Sequence, residues 1–206
     1  ASRRYGWLLL AGGFTGLAML TKGPVGLLLP GLSWAVYYLL RLRQMRLPLL
    51  PVLVYLGASA LFFALWYGYD FVVHGPWFLR TFLEYQVELL TQPTAGHSGP
   101  WFYHFVVLLL GVVPYSVLAL PSLGAARGMP QRAAHLHQWQ VILLGVVLAV
   151  FSLVTTKIVH YSSLAYFPLT WLGAATLERI WQRQAALPRW NRRLLATLLG
   201  TLGLVL

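Results

Sequence analysis

The chain has 206 residues, of which 59% are hydrophobic and only 9% charged, with a formal net charge of +11 and no cysteine. A soluble domain of this length cannot hide that much apolar surface, so the composition implies an integral membrane protein. The positive charge does not indicate nucleic acid, because the arginines sit in short segments between apolar runs and no nucleic-acid motif accompanies them. Without cysteine there are no disulfides and no thiolate metal sites.

Apolar segments follow one another at 5–20, 25–40, 48–72, 101–120, 139–156, 160–177 and 194–206. A helical crossing takes about 20 residues. The stretches 5–40 and 139–177 are each too long for one crossing, and each is interrupted by a Thr-Lys pair, Thr21-Lys22 and Thr156-Lys157. Two hairpins are therefore expected. The fold class is an all-α polytopic membrane protein, with residues 1–206 forming a single transmembrane domain. The start at Ala1 and the apolar run from Leu194 to Leu206 read as a piece of a larger protein.

Orientation follows from the arginines. If Arg3 and Arg4 face the cytoplasm and the segments alternate, 12 of the 13 arginines fall on the inner side and only Arg80 on the outer. This is the distribution that the positive-inside rule describes. Both lysines and the segment 73–100 then share the outer face. Within that segment, Trp77, Phe78, Phe82, Leu83, Leu89 and Leu90 predict an amphipathic helix lying in the interface, and Glu84 and Glu88 are two of the chain's four acids. Next come a Gly-rich turn holding His97 and an aromatic belt, where His104 reads as an interface residue. His135 and His137 read as inner-loop residues, and Asp70 as a capping or interface residue.

Lys22 and Lys157 are the only lysines. An ammonium at membrane depth costs a few kcal/mol, so it persists where it binds something or lines a wet cavity. A single lysine at a helix end more often snorkels to the interface and fixes helix depth. Two Thr-Lys motifs meeting on one face, with no other lysine in the chain, favour ligand binding instead. The candidate substrate-binding set is Lys22, Lys157, His160, Tyr161, His97, Glu84 and Arg80. Its cations suit an anionic headgroup, and a lipid-linked phosphate fits best because its tail stays in the bilayer. Gly23 and Pro24 would start a helix whose N-terminal amides face the phosphate. Arg80 lies four residues before Glu84, so an ordinary ion pair explains it equally well.

Leu20-Thr-Lys-Gly-Pro-Val-Gly26, Phe82-Leu-Glu-Tyr85, His97-Ser-Gly-Pro-Trp-Phe-Tyr103, Gly111-Val-Val-Pro-Tyr-Ser116 and Thr156-Lys-Ile-Val-His-Tyr161 run in this order through about positions 15 to 170. Together they resemble the membrane glycosyltransferases that use polyprenyl-phosphate-linked sugars, the lipid A aminoarabinose transferases and the protein O-mannosyltransferase-like family. The resemblance implies a GT-C-type helix bundle with interfacial helices on the outer face. It implies transfer of a sugar from an undecaprenyl or dolichyl phosphate donor to a lipid or protein acceptor at the exoplasmic, periplasmic side of a bacterial inner membrane. It places the catalytic carboxylate in a loop before residue 1, and makes Lys22 and Lys157 the holders of the donor phosphate. Some members hold a divalent metal ion near a histidine like His97, which makes His97 the candidate metal residue. The sequence departs from the aminoarabinose-transferase pattern at Ile158-Val159, where Leu-Pro is common, and at Tyr85-Gln-Val. The rival reading is a secondary transporter for an anionic substrate, built on broken helices; a non-catalytic scaffold is the third.

Overall fold

The computed structural model describes residues 2–41, 47–91, 98–124 and 128–205. They fall in two compact units, 1–91 and 92–206, and every regular element among them is helical. The protein is an all-α, multi-pass membrane protein.

In the first unit, α1 (Ser2–Lys22) packs along α3 (Leu49–His74). The contact is close because Gly12 and Gly16, one turn apart, leave no side chain between the two backbones. A Cβ at Gly12 would overlap the Tyr55 carbonyl oxygen, and one at Gly16 would lie 2.6 Å from both the Ser59 carbonyl oxygen and the Phe62 Cβ. Small residues one turn apart allow this approach where apolar solvent supplies no hydrophobic drive. A 2.7 Å hydrogen bond between Thr15 Oγ1 and the Tyr55 hydroxyl fixes the register.

The Lys22-Gly23-Pro24 interruption behaves as its residues dictate. Gly23 takes φ +73°, which side chains rarely tolerate, and its amide returns to the Met19 carbonyl at 2.9 Å. Pro24 then opens α2 (Val25–Leu40). Gly26 is pressed against α1, with the Ala18 and Met19 backbones 2.8 Å from where its Cβ would be. At the end of α3, Gly75 turns the chain into α4 (Trp77–Thr91), the expected amphipathic helix. It lays Phe78 and Phe82 on Tyr67 of α3, with ring centroids 6.0 and 5.2 Å away.

The second unit runs through α5 (Tyr103–Gly111), α6 (Tyr115–Ala119), a 3₁₀ turn (Leu120–Ser122), α7 (Gln131–Leu153), a 3₁₀ segment (Val159–Ala165), α8 (Tyr166–Trp181) and α9 (Arg189–Val205). Its core joins α6, α7 and α8 through Val117, Ala119, Val147 and Leu172, all fully buried. Asn191, also fully buried, donates to the Val117 carbonyl at 3.0 Å and ties the start of α9 to α6.

Two sequence expectations are corrected here. The apolar run 101–120 is not a straight crossing: it bends by 109° between Gly111 and Tyr115. There Pro114 has no amide hydrogen to continue the ladder, and the Ser116 hydroxyl caps the Leu109 carbonyl at 2.7 Å. His137 is not a loop residue, because α7 starts directly after Pro130 and includes both His135 and His137. His137 is 2% exposed, and its Nε2 donates to the Ser122 carbonyl at 2.7 Å. Among the described helices, Leu49–His74 and Gln131–Leu153 are long and apolar enough to cross a membrane alone, and the bent pair makes a third if it counts as one span.

Replacing Gly16 with Ile should wedge α1 from α3 and cost about 1–3 kcal/mol or more. Gly57→Ala, at a position with nothing within 4 Å of the added carbon, should be near neutral. Unfolding in mixed detergent, followed by helical circular dichroism, measures the contrast.

Candidate functional site

In the first unit, Lys22 ends α1 beside the Gly23 turn. Its side chain is exposed and carries no hydrogen bond or ion pair to any described residue. The turn sits on α4: Phe82 Cζ and Gln86 Oε1 each lie 3.1 Å from where a Gly23 Cβ would be. The amides expected to face an anion are partly occupied, since Gly26 N–H donates to the Gly23 carbonyl at 3.0 Å and Leu27 N–H to the Pro24 carbonyl at 3.1 Å. The ammonium is an open donor at this turn with respect to the described residues. Arg80 Nε donates to Glu84 Oε1 at 3.0 Å on the exposed face of α4. This is the ion pair their spacing predicted, and in water such a pair adds little to stability. Asp70 Oδ1 meets His74 Nδ1 at 2.9 Å.

In the second unit the environment of Lys157 is the reverse. Its side chain is 4% exposed, and its ammonium donates to the carbonyls of Phe151 at 2.9 Å, Ser152 at 2.8 Å and Val154 at 2.6 Å. These carbonyls lie at the C-terminus of α7, where four acceptors lose their intrahelical partners. A lysine at this end satisfies them and matches the negative end of the helix dipole. Burial pushes Lys157 below the usual lysine range.

Around this cap the structure brings together two segments far apart in sequence. Ser98 pairs with Thr156 in an isolated antiparallel bridge. Gly99 lies on the Lys157 stem, with Cγ 3.1 Å and Cβ 3.4 Å from where its own Cβ would be and Tyr103 at 3.4 Å. His104 Nδ1 meets Ser162 Oγ at 3.1 Å. Rings continue the contact: His104 to Phe151 at 5.7 Å, Phe151 to Tyr161 at 5.5 Å, and Tyr161 to His160 at 5.2 Å. His160 is exposed and Tyr161 half-buried.

His104 is thus a core residue and not a member of an interface belt: it is fully buried, and its Nε2 has no hydrogen-bond partner among the described residues. The sequence pattern misassigned it because the aromatic residues around it resemble a belt, while its burial comes from the 3₁₀ segment 58 residues later. Gly99, His104 and Ser162 are the site residues that sequence reasoning missed. The Ser-Gly-Pro turn carried the one local signal. His97 lies outside the described residues. Among the described residues, no three His, Cys, Asp or Glu side chains converge to hold a metal ion.

The chain is similar to two curated proteins of known type. It is 31% identical to the undecaprenyl phosphate-alpha-4-amino-4-deoxy-L-arabinose arabinosyl transferase 1 of Pseudomonas fluorescens, over 92% of this chain and 35% of that protein. It is 32% identical to the undecaprenyl phosphate-alpha-4-amino-4-deoxy-L-arabinose arabinosyl transferase of Pseudomonas paraeruginosa, over 92% of this chain and 34% of that protein. An uncharacterized protein of Aquifex aeolicus is 27% identical, over 93% of this chain and 38% of its own length. The chain thus spans about a third of the length of the curated relatives it matches. No family model and no solved structure matches.

Removing the Ser162 hydroxyl would leave both ring nitrogens of a buried His104 unpartnered. Ser162→Ala should therefore cost about 1–3 kcal/mol, whereas the pair His104→Phe with Ser162→Ala should cost less than the sum of the two single changes. A double-mutant cycle from detergent unfolding tests this; strict additivity would show that the contact contributes nothing.

Proposed function

We propose that the chain is part of a membrane glycosyltransferase and holds the phosphate end of a polyprenyl-phosphate-linked sugar. The observation that carries this reading is Lys22, an exposed ammonium with no partner among the described residues, placed at the Gly23 turn over α4. Similarity to two undecaprenyl phosphate aminoarabinose transferases, extending over 92% of the chain, supports it. In this reading the membrane is the bacterial inner membrane and the active face is periplasmic, which agrees with the arginine distribution. The donor is an undecaprenyl- or dolichyl-phosphate sugar and the acceptor a lipid or a protein.

The chemistry asks for what Lys22 offers. An acceptor oxygen attacks the anomeric carbon, the bond from that carbon to the phosphate oxygen breaks, and negative charge builds on the departing lipid phosphate. A fixed cation in a low-dielectric setting stabilises that charge more in the transition state than in the ground state. A lipid phosphate donor needs no nucleotide pocket, consistent with the lack of a dinucleotide or P-loop motif. The acceptor proton must go to a base. Among the described acids, Asp70 is engaged by His74, Glu84 by Arg80 and Glu178 by Gln182, and Glu88 lies exposed on α4; the resemblance to polyprenyl-phosphate-sugar transferases, and not elimination, points to a base before residue 1. We assign the base to a carboxylate outside residues 1–206, and substrate contacts to Arg80, Glu84, His97, His160 and Tyr161.

Lys22→Met keeps the length of the side chain and removes its charge. In the intact protein reconstituted in bilayers, it should lower turnover of an undecaprenyl-phosphate sugar by about 10²–10³-fold, as expected for loss of one group stabilising transition-state charge. Membrane insertion should be unchanged. Turnover equal to that of the parent would end the reading.

A further inference from the structure

The two Thr-Lys motifs look alike in sequence, yet their ammonium groups are in opposite conditions. Lys22 is exposed and has no partner among the described residues. Lys157 is buried, and each of its three N–H donors meets a backbone carbonyl of the α7 terminus. An ammonium has three donors and no acceptor, so Lys157 has none left for a ligand unless α7 gives up its cap. Its stem supports Gly99, and the flanking residues add the Ser98–Thr156 bridge and the His104–Ser162 hydrogen bond. Three contacts thus join 98–104 to 156–162.

We propose that Lys157 is a positioning residue and not an anion ligand: it closes α7 and clamps segment 98–104 against 156–162, while anion recognition falls to Lys22. The clamp fixes Ser98, which follows His97 in the chain, and sets where His160 and Tyr161 stand after the α7 terminus. Gly99 is part of the same device. A methyl there would lie 3.1 Å from the Lys157 stem, closer than most real Cβ contacts, and would push on the lysine without altering any charge. Arginine does not replace Lys157, because its planar fork cannot direct three donors from one nitrogen at three converging carbonyls. The role of the clamp in turnover rests on the glycosyltransferase reading; its existence does not.

Residues 1–206 contain no cysteine, so a pair introduced by Ser98→Cys and Thr156→Cys, with any thiol elsewhere in the intact protein replaced by serine, reports the clamp alone. Opposed residues on antiparallel strands have Cα atoms about 4.5–5.5 Å apart, within the roughly 4.4–6.8 Å that a disulfide spans. In the intact protein in membranes this pair should cross-link under mild oxidation. Adding Lys157→Met or Lys157→Arg should lower the yield at least about threefold, because the open α7 carbonyls draw the terminus toward water. Adding Lys22→Met should leave the yield unchanged. Gly99→Ala should also lower it and, tested without the cysteines, should reduce turnover in parallel with Lys157→Met. An undiminished cross-link in Lys157→Met overturns the proposal. So does a turnover loss confined to Lys157→Met with Gly99→Ala fully active. Should Lys157→Met fail to insert, Gly99→Ala decides by the same cross-link. A cross-link that responds as described in a protein with no sugar-lipid turnover upholds the clamp and removes the glycosyltransferase reading.

Discussion

The second unit depends on how the C-terminus of α7 is closed. The helix stops at Leu153, and residues 154–158 run in extended or bent backbone before the next helical turn. That leaves carbonyls at a place that is largely sheltered from water, where an unmet acceptor costs about 1–3 kcal/mol. One ammonium answers three of them at once. Once it is seated, its methylene stem becomes a surface, and the Ser98-Gly99-Pro100 turn is built on that surface. Helix ending, lysine burial and loop placement are therefore one event rather than three.

The first unit solves a different problem with smaller residues. Two apolar helices in lipid gain little by hiding from solvent, so α1 and α3 associate by approaching closely over Gly12 and Gly16. The Thr15–Tyr55 hydrogen bond adds direction where the glycines supply only proximity. At the end of this pair the chain reverses through Gly23, and the cation beside it is exposed, with no carbonyl of the described residues capping it. Two lysines after two threonines have thus been put to contrasting uses by their surroundings.

Much of this was legible locally. Gly23-Pro24 marks its own break, the apolar stripe of 77–91 predicts α4, and the spacing of Arg80 and Glu84 predicts their pair, because each signal lies within one or two helical turns. What was not legible depends on distance along the chain. The Lys157 partners are set by the exact end of α7, and the burial of His104 by a segment 58 residues away. His137 was hidden for another reason: the polar run after Pro130 looks like a loop, although a proline immediately before a helix is an ordinary helix start. The bend at 111–115 had its proline in plain view, but the continuous apolar composition on both sides concealed it.

That bend carries a consequence of its own. A chain that breaks its helical ladder in an oily medium must find shelter from other parts of the protein, since hydrocarbon offers nothing to bond with. Here the shelter is α8, where Gly173 accepts the Tyr115 ring so closely that an added methyl would lie 2.9 Å from Cδ1. Ser116, Val117, Leu118 and Ala119 are all buried behind it. The residues just past the corner are therefore closed to lipid, although Gly111 and Tyr115 themselves stay exposed, and any change of bulk at position 115 must be matched at position 173.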